Sequence, residues 1–90
     1  MRRDKLDILR DILTICSKEK VRKTEIVYRS NMNFSKIAGY LDWSLAHEFL
    51  KKEGAFYEIT PAGLLLLSDI EKIKDVDGST HLPSQREEKR

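Results

Sequence analysis

One glycine-centred segment departs from the helical periodicity of the rest of the chain, and it limits the folds that the sequence can adopt. Two short runs rich in aromatic and aliphatic residues, 49–52 and 56–59, flank Glu53 and Gly54. Runs of this kind around a glycine turn are typical of a β-hairpin. The pattern predicts one hairpin with a charged tip, set between helical segments.

Three helices are predicted before the hairpin, from the spacing of apolar residues. Residues 4–17 and 34–47 carry apolar side chains at intervals of three and four, as one buried helix face requires. A shorter helix is predicted over 22–30, with Val21 before it as a very short strand. Asn33 is a suitable N-cap for the third helix, because its side-chain oxygen can accept from a free backbone N–H of the first turn.

A fourth helix is predicted after the hairpin, over residues 61–76. Thr60 is expected to cap it and Pro61 to take its first position, where a missing N–H costs nothing. Residues 64–67 are apolar on nearly every side, which predicts packing both on the first helix and on a second subunit. Gly78 is expected to end the helix, and residues 78–90, with few apolar side chains, are expected to form a disordered tail.

The order of these elements predicts the fold class. Helix, short strand, helix, turn, helix, hairpin, helix is the order of a winged helix, a helix-turn-helix variant whose third helix enters the major groove of DNA. Ninety residues supply one hydrophobic core. We therefore expect one mainly α domain with a β-hairpin wing (an α+β fold) over residues 1–77, with 61–76 as an additional C-terminal dimerisation helix.

Composition and cysteine usage argue against other classes of protein. No apolar stretch approaches the roughly 20 residues that span a bilayer, so we expect a cytoplasmic protein without a membrane partner. Cys16 lies on the apolar stripe of the first helix, and no cysteine or histidine cluster has zinc-site spacing, so no metal or cofactor is expected. His47 and His81 are far apart and have no nucleophile arrangement, so no catalytic residue is assigned and an enzyme is not expected.

Five short motifs carry a family resemblance. They are Asn-Met-Asn-Phe at 31–34, Tyr-Leu at 40–41, Gly54, Tyr-Glu-Ile-Thr at 57–60, and Gly63. Together they resemble the pattern of an archaeal winged-helix family of transcriptional regulators, which includes small dimeric chromatin-associated DNA-binding proteins. The resemblance covers about residues 5–74. It implies binding to double-stranded DNA, a nucleoid-associated location, and a homodimer held by the C-terminal helix.

The third helix is expected to present to DNA the face that lies opposite its core residues. Lys36 is predicted to reach a phosphate or a guanine edge, and Tyr40 and Trp43 to contact thymine methyls or phosphates. Gly39 costs about 1 kcal/mol relative to alanine in a helix interior, which suggests that DNA or a neighbouring element comes close. The predicted face consists of Ser35, Lys36, Gly39, Tyr40, Trp43 and His47.

Two further sets of residues complete the predicted interfaces. Phosphate contacts are expected at the second helix and at the hairpin, because both flank the groove in this fold; the residues are Lys23, Arg29, Lys51 and Lys52. An ordinary solvated surface role remains open for each of these cations. The dimer interface is predicted on the C-terminal helix, at Leu64, Leu65, Leu67, Ile70 and Ile73.

A second interpretation remains open alongside DNA binding. The third helix carries few cations and includes Asp42, and the same fold can serve as a protein-docking or dimerisation module without DNA. Trp43 and Phe56 would then anchor a protein interface, because aromatic residues dominate binding hot spots. A structural role is a separate alternative for two residues of the third helix, in which Tyr40 seals the edge of the core and Trp43 lies in a subunit contact.

Overall fold

The computed structural model describes residues 4–79, which form four helices and one antiparallel sheet. In chain order the elements are α1 (Lys5–Lys18), β1 (Val21–Arg22), α2 (Lys23–Ser30), α3 (Phe34–Ala46), β2 (Leu50–Glu53), β3 (Phe56–Ile59) and α4 (Pro61–Ser79). This is the predicted order, and the mainly α fold with a hairpin wing and a C-terminal helix is confirmed.

Side-chain caps begin three of the helices, namely α1, α3 and, through Thr60, α4. Asp4 accepts from the backbone N–H of Asp7 at 2.9 Å, and the Asp7 carboxylate accepts in return from the backbone N–H of Asp4 at 3.3 Å. Asn33 accepts from the backbone N–H of Lys36 at 2.8 Å, as predicted. These contacts satisfy N–H groups that have no partner within their own helix.

Left-handed residues end α2 and α3. Asn31 follows α2 with φ of 58°, and Glu48 follows α3 with φ of 62°. After α3, the N–H of Phe49 donates to the Ser44 carbonyl at 2.8 Å and that of Glu48 donates to the Leu45 carbonyl at 3.1 Å. This hydrogen-bond pattern is a Schellman motif, which usually places glycine where Glu48 stands.

The sheet has the strand order β1-β3-β2, with β3 in the centre. Tyr57 of β3 pairs with Val21 on one side and with Lys52 on the other. The hairpin turns through two residues, and its first, Gly54, has φ of 62°. Glycine at that position is what a type II′ turn requires.

The hydrophobic core lies between α1, α2, α3 and the sheet, and α4 closes it from the side of α1. The half-buried side chains Tyr40, Leu45, Leu66 and Leu67 pack against its edges. The buried apolar residues are Ile8, Leu9, Ile12, Leu13, Cys16, Val21, Ile26, Ile37, Leu41, Leu50, Tyr57 and Ile70.

An ion-pair cluster fastens α4 to the start of α1. The Lys74 ammonium lies 3.0 Å from an Asp4 oxygen and 3.3 Å from an Asp7 oxygen. The hydrogen bond to Asp4 raises the pKa of Lys74. The pKa of Asp4 is lowered, chiefly by the backbone N–H of Asp7 and then by Lys74.

Three expectations from the sequence differ from the structure. Ile70 is 1% exposed and belongs to the core of the chain itself, so it is not available to a second subunit. Phe34, which helical spacing places on the core face of α3, is 53% exposed. The helix α4 continues through Gly78 to Ser79 instead of ending there; the rest of the predicted tail lies outside the described residues.

No helix within residues 4–79 has both the length and the apolar character that a bilayer-spanning segment requires.

Candidate nucleic-acid interface

The six residues predicted on the third helix share one solvent-facing side of α3, which we call the outer α3 face. Ser35, Lys36, Gly39 and His47 are exposed. Trp43 is 42% exposed, and Tyr40 is half-buried because one side of its ring packs against the core. The buried side of the same helix is formed by Ile37, Leu41 and Ser44. Helical spacing therefore separated the two sides of α3 correctly, except for Phe34.

A groove runs between the outer α3 face and the amino-terminal half of α1, and we call it the α1–α3 groove. Its volume is about 380 Å³, and it is lined by Lys5, Leu9, Lys36, Gly39, Tyr40 and Trp43. A Cβ atom built on Gly39 would meet nothing within 4 Å. No neighbouring element among residues 4–79 therefore accounts for glycine at this position.

Three aromatic rings meet where α3 ends. The centroid of the Trp43 ring lies 4.6 Å from that of His47 and 5.5 Å from that of Phe49, and the His47 and Phe49 rings stack at 6.0 Å. His47 Nδ1 also lies 3.0 Å from the Trp43 carbonyl oxygen. The cluster gives the Trp43 ring two aromatic neighbours while the residue remains 42% exposed. The sequence places Trp43 and His47 on the same side of α3, because they are four residues apart. It did not predict the contact with Phe49, which lies beyond the end of this helix.

Lys23 lies beside the start of α3. Its ammonium group is 5.0 Å from the centroid of the Phe34 ring, and Phe34 is the first residue of α3. At an exposed site such a cation–π contact contributes about 0.5–1 kcal/mol, so Lys23 gives the exposed Phe34 ring a partner outside the core. A cation from α2 is thus held at the amino-terminal end of α3.

The two lysines of the wing lie on opposite faces of the hairpin, because successive residues of a strand alternate. Lys52 pairs with the buried Tyr57 and its ammonium group is 5.4 Å from the centroid of that ring, so it lies on the helix side of the sheet. Lys51 lies on the other side, 3.8 Å from a carboxylate oxygen of Glu58. The prediction that Lys51 and Lys52 act together is therefore corrected, and Lys52 is the one on the side of the helices.

Arg29 is placed away from the outer α3 face. It donates to Glu25 at 2.8 Å and to Glu19 at 2.9 Å, and both hydrogen bonds raise its pKa, that to Glu19 most. It lines a different depression, together with residues of α1 and with Glu71 of α4. Six residues of helix separate Arg29 from Lys23 by about 120° around α2. The phosphate contact of Arg29 stays a prediction, for a guanidinium that is held by two carboxylates.

The predicted dimer residues divide into three groups. Leu64, Leu65 and Ile73 are 51, 70 and 48% exposed, Leu67 is half-buried against the core, and Ile70 is the core residue described above. Leu65 and Ile73, eight residues apart, lie on neighbouring sides of α4, whereas nine residues put Leu64 on the side opposite Ile73.

Metal binding and thiol reactivity were also considered for residues 4–79, at the acidic, histidine and cysteine side chains. Residues 4–79 contain no group of three or more His, Cys, Asp or Glu side chains arranged to hold a metal ion. Burial raises the pKa of the Cys16 thiol to about 12, so the reactive thiolate form is suppressed at neutral pH. His81 lies outside the described residues.

Comparisons with known proteins agree with the fold. The chain is 34% identical over 73 residues to an uncharacterized protein of Methanocaldococcus jannaschii, covering 81% of this chain but only 35% of that protein. A second uncharacterized protein of the same organism is 26% identical over 78 residues, covering 87% of this chain and 80% of the relative. The chain spans about a third of the first relative and most of the second.

A solved structure and a family profile complete the comparison. The crystal structure of Sso10a-2, a DNA-binding protein from Sulfolobus solfataricus, superposes with a TM-score of 0.77 at 30% identity and covers 87% of this chain and 85% of that one. The profile of the winged helix-turn-helix family matches residues 2–78. The chain therefore belongs to the winged helix-turn-helix family.

Proposed function

We propose that this protein binds double-stranded DNA through the outer α3 face. The observation that carries the proposal is the open surface around Gly39, which has no covering element among residues 4–79 and is bordered by Lys36. Sso10a-2, which shares the fold at 30% identity, is a DNA-binding protein. In this arrangement α3 enters the major groove and the wing lies along the backbone.

Lys23, Lys36 and Lys52 are the proposed phosphate contacts. Lys23 is held at the start of α3 by Phe34, Lys36 borders the α1–α3 groove, and Lys52 lies on the helix side of the wing. Each neutralised phosphate contributes about −0.9 to the slope of log K against log salt. Three contacts predict a slope of about −2.7 for each subunit. With Asp42 also on α3, we expect modest affinity with a contribution from DNA shape, and no dense readout of bases.

A salt titration with random-sequence duplex DNA tests this proposal, with fluorescence anisotropy as the readout. The double variant Lys23→Glu, Lys36→Glu is expected to weaken binding to all sequences about equally and to reduce the slope by about 2. Lys18→Glu is the control, and its loss of slope is compared for each reversed charge. Lys18 is an exposed lysine of α1, and it lies about 20 Å along that helix from Lys5, the α1 lysine that borders the α1–α3 groove.

Two outcomes would contradict the proposal. Absence of binding by the wild-type protein at low salt would favour the alternative of a protein-docking module. An equal loss of slope in the Lys18 control and in the double variant would show that charge alone, and not the outer α3 face, governs the affinity.

We further propose a homodimer through α4. Leu65 and Ile73 are apolar side chains on neighbouring sides of this helix, and they are 70 and 48% exposed. Leu65→Glu combined with Ile73→Glu is expected to give a monomer in sedimentation at micromolar concentration. Leu64→Glu serves as the control, because that side chain is equally apolar and lies on the opposite side from Ile73. A monomeric wild-type protein would contradict the proposed dimer.

The cellular role that fits these features is regulatory or architectural and not catalytic. We propose a cytoplasmic, nucleoid-associated protein that acts as a transcriptional regulator or as a chromatin component. A footprint on genomic DNA separates the two roles, because discrete sites with fixed spacing indicate a regulator and continuous coverage indicates chromatin.

A further inference from the structure

We propose that the α1–α3 groove binds a small organic carboxylate with an apolar or aromatic body, and that this molecule competes with DNA. The groove itself is independent of any role in DNA binding; only the competition rests on the proposed function. The apolar body of the ligand lies on Leu9, Tyr40 and Trp43, and its carboxylate lies between Lys5 and Lys36.

The shape of the groove is the first argument. Its volume of about 380 Å³ falls within the roughly 300–1,000 Å³ of small-molecule sites. Gly39 forms part of its wall, and a side chain there would project into free space. A glycine in the interior of an exposed helix lowers stability relative to alanine, and nothing within residues 4–79 uses the space that it leaves. An occupant from outside the chain accounts for that space.

The chemistry of the lining is the second argument. Leu9, Tyr40 and Trp43 provide apolar and aromatic surface, and none of the lining residues within 4–79 is acidic. Lys5 and Lys36 are exposed, and neither is among the ion pairs formed within residues 4–79. A site with an apolar body and two unpaired cations is complementary to an anion attached to an apolar group.

The overlap with the outer α3 face gives the regulatory consequence. Four of the six lining residues, Lys36, Gly39, Tyr40 and Trp43, also belong to that face. A molecule in the groove neutralises Lys36 and covers the Trp43 ring, so DNA and the carboxylate cannot both occupy these residues. Binding of either partner then weakens binding of the other by the same factor.

The only tryptophan of the chain, Trp43, lines the groove, so its fluorescence reports on occupancy directly. The probe is sodium 4-phenylbutyrate, compared with the neutral 4-phenylbutanamide and with sodium acetate at equal ionic strength, in the absence of DNA. We expect saturable binding of the carboxylate with a dissociation constant of about a millimolar, the range for a probe of roughly a dozen non-hydrogen atoms in an open site. The amide is expected to bind at least fivefold more weakly, and acetate to have no effect. Calorimetry provides a second readout.

Two variants of α3 test the location of the site. Gly39→Leu fills the groove and is expected to weaken probe binding at least tenfold while the protein remains folded, because a Cβ at this position meets no atom of the described chain within 4 Å. Ala46→Leu adds the same side chain at another exposed position of α3 and should bind the probe as the wild type does. The double variant Lys5→Gln, Lys36→Gln is expected to bind carboxylate and amide equally.

The outcomes distinguish this proposal from the proposed function. No saturable binding, equal affinity for carboxylate and amide in the wild type, or unchanged binding by Gly39→Leu each overturns the carboxylate site. If Gly39→Leu loses DNA binding and no probe binds, the groove is a DNA contact, and the proposed function stands alone. If the probe binds but duplex DNA does not, the site stands and the proposed function fails. If both bind without competition, the regulatory consequence is wrong.

Discussion

Two glycines within helices, Gly39 and Gly63, are expected to respond to alanine in opposite directions. At Gly63, near the start of α4, a Cβ would overlap the carbonyl oxygen of Phe49 and lie 2.7 Å from Cγ1 of Ile59. That carbonyl cannot move freely, because it accepts from the N–H of Thr60 at 3.1 Å. At Gly39 the same Cβ meets nothing within 4 Å.

The expected magnitudes follow from these surroundings. Overpacking of this kind costs about 1–3 kcal/mol and occasionally more, and a clash with fixed backbone belongs at the upper end, so Gly63→Ala is expected to lose about 2–3 kcal/mol. At roughly 4–8 °C per kcal/mol for a domain of this size, its Tm should fall by about 10–20 °C. Gly39→Ala should gain about 1 kcal/mol from helix propensity, a rise of about 4–8 °C.

Thermal unfolding followed by circular dichroism measures both changes, at one protein concentration so that any dimer contributes equally. Each glycine serves as the control for the other, because both variants add one methyl group to a helix. A Gly63→Ala variant with unchanged Tm would refute the close approach at the start of α4. A Gly39→Ala variant that is destabilised would show that the space around that residue is not open.

The remaining predictions concern a backbone strain, a carboxylate and a thiol. Glu48→Gly should raise the free energy of unfolding by about 1 kcal/mol in a denaturant titration, because Glu48 holds φ of 62°, where glycine has no steric cost; no gain would argue against the left-handed cap. The lowered pKa of Asp4 means that its contribution to stability is present above the unfolded pKa of about 3.8 and is lost as pH falls through the folded pKa. Asp4→Asn, which retains a cap, should therefore flatten the decrease of Tm with acidification below about pH 4, and an unchanged profile would exclude the pairing with Lys74. Cys16, with its pKa raised by burial to about 12, should react with a thiol reagent at pH 8 only as fast as the protein unfolds; rapid labelling of the native protein would contradict its burial.

Local chemistry made much of the fold predictable from the sequence. Asn33 was recognised as a cap because its side chain acts on a backbone N–H only three residues away. Gly54 was recognised as a turn because the hairpin needs a positive φ there. The same holds for the start of α4, where Thr60 accepts from the N–H of Gly63 at 3.0 Å. All three signals are complete within a few residues of sequence.

Features that depend on packing between distant segments were not predictable in this way. Helical spacing placed Phe34 on the core side of α3, but it stands in the first turn, where Lys23 and not the core meets its ring. Spacing also gave Ile70 an apolar position without showing whether α1 or a second subunit covers it. For Arg29, the sequence did not show that Glu19, ten residues earlier, lies within hydrogen-bond distance of the guanidinium. In each case the sequence did not show which element of the fold packs against the side chain.

Thr60 connects the end of α3 to the start of α4 through three hydrogen bonds. Its N–H donates to the Phe49 carbonyl and its hydroxyl donates to the Glu48 carbonyl at 2.6 Å, while the same hydroxyl oxygen accepts from Gly63. In the proposed dimer, these hydrogen bonds would fix the orientation of each α3 relative to its α4. The two α3 helices would therefore lie at a set distance and angle from each other. A substitution of Thr60 would then change the spacing between half-sites that the dimer prefers, while each subunit would keep its own affinity for a half-site.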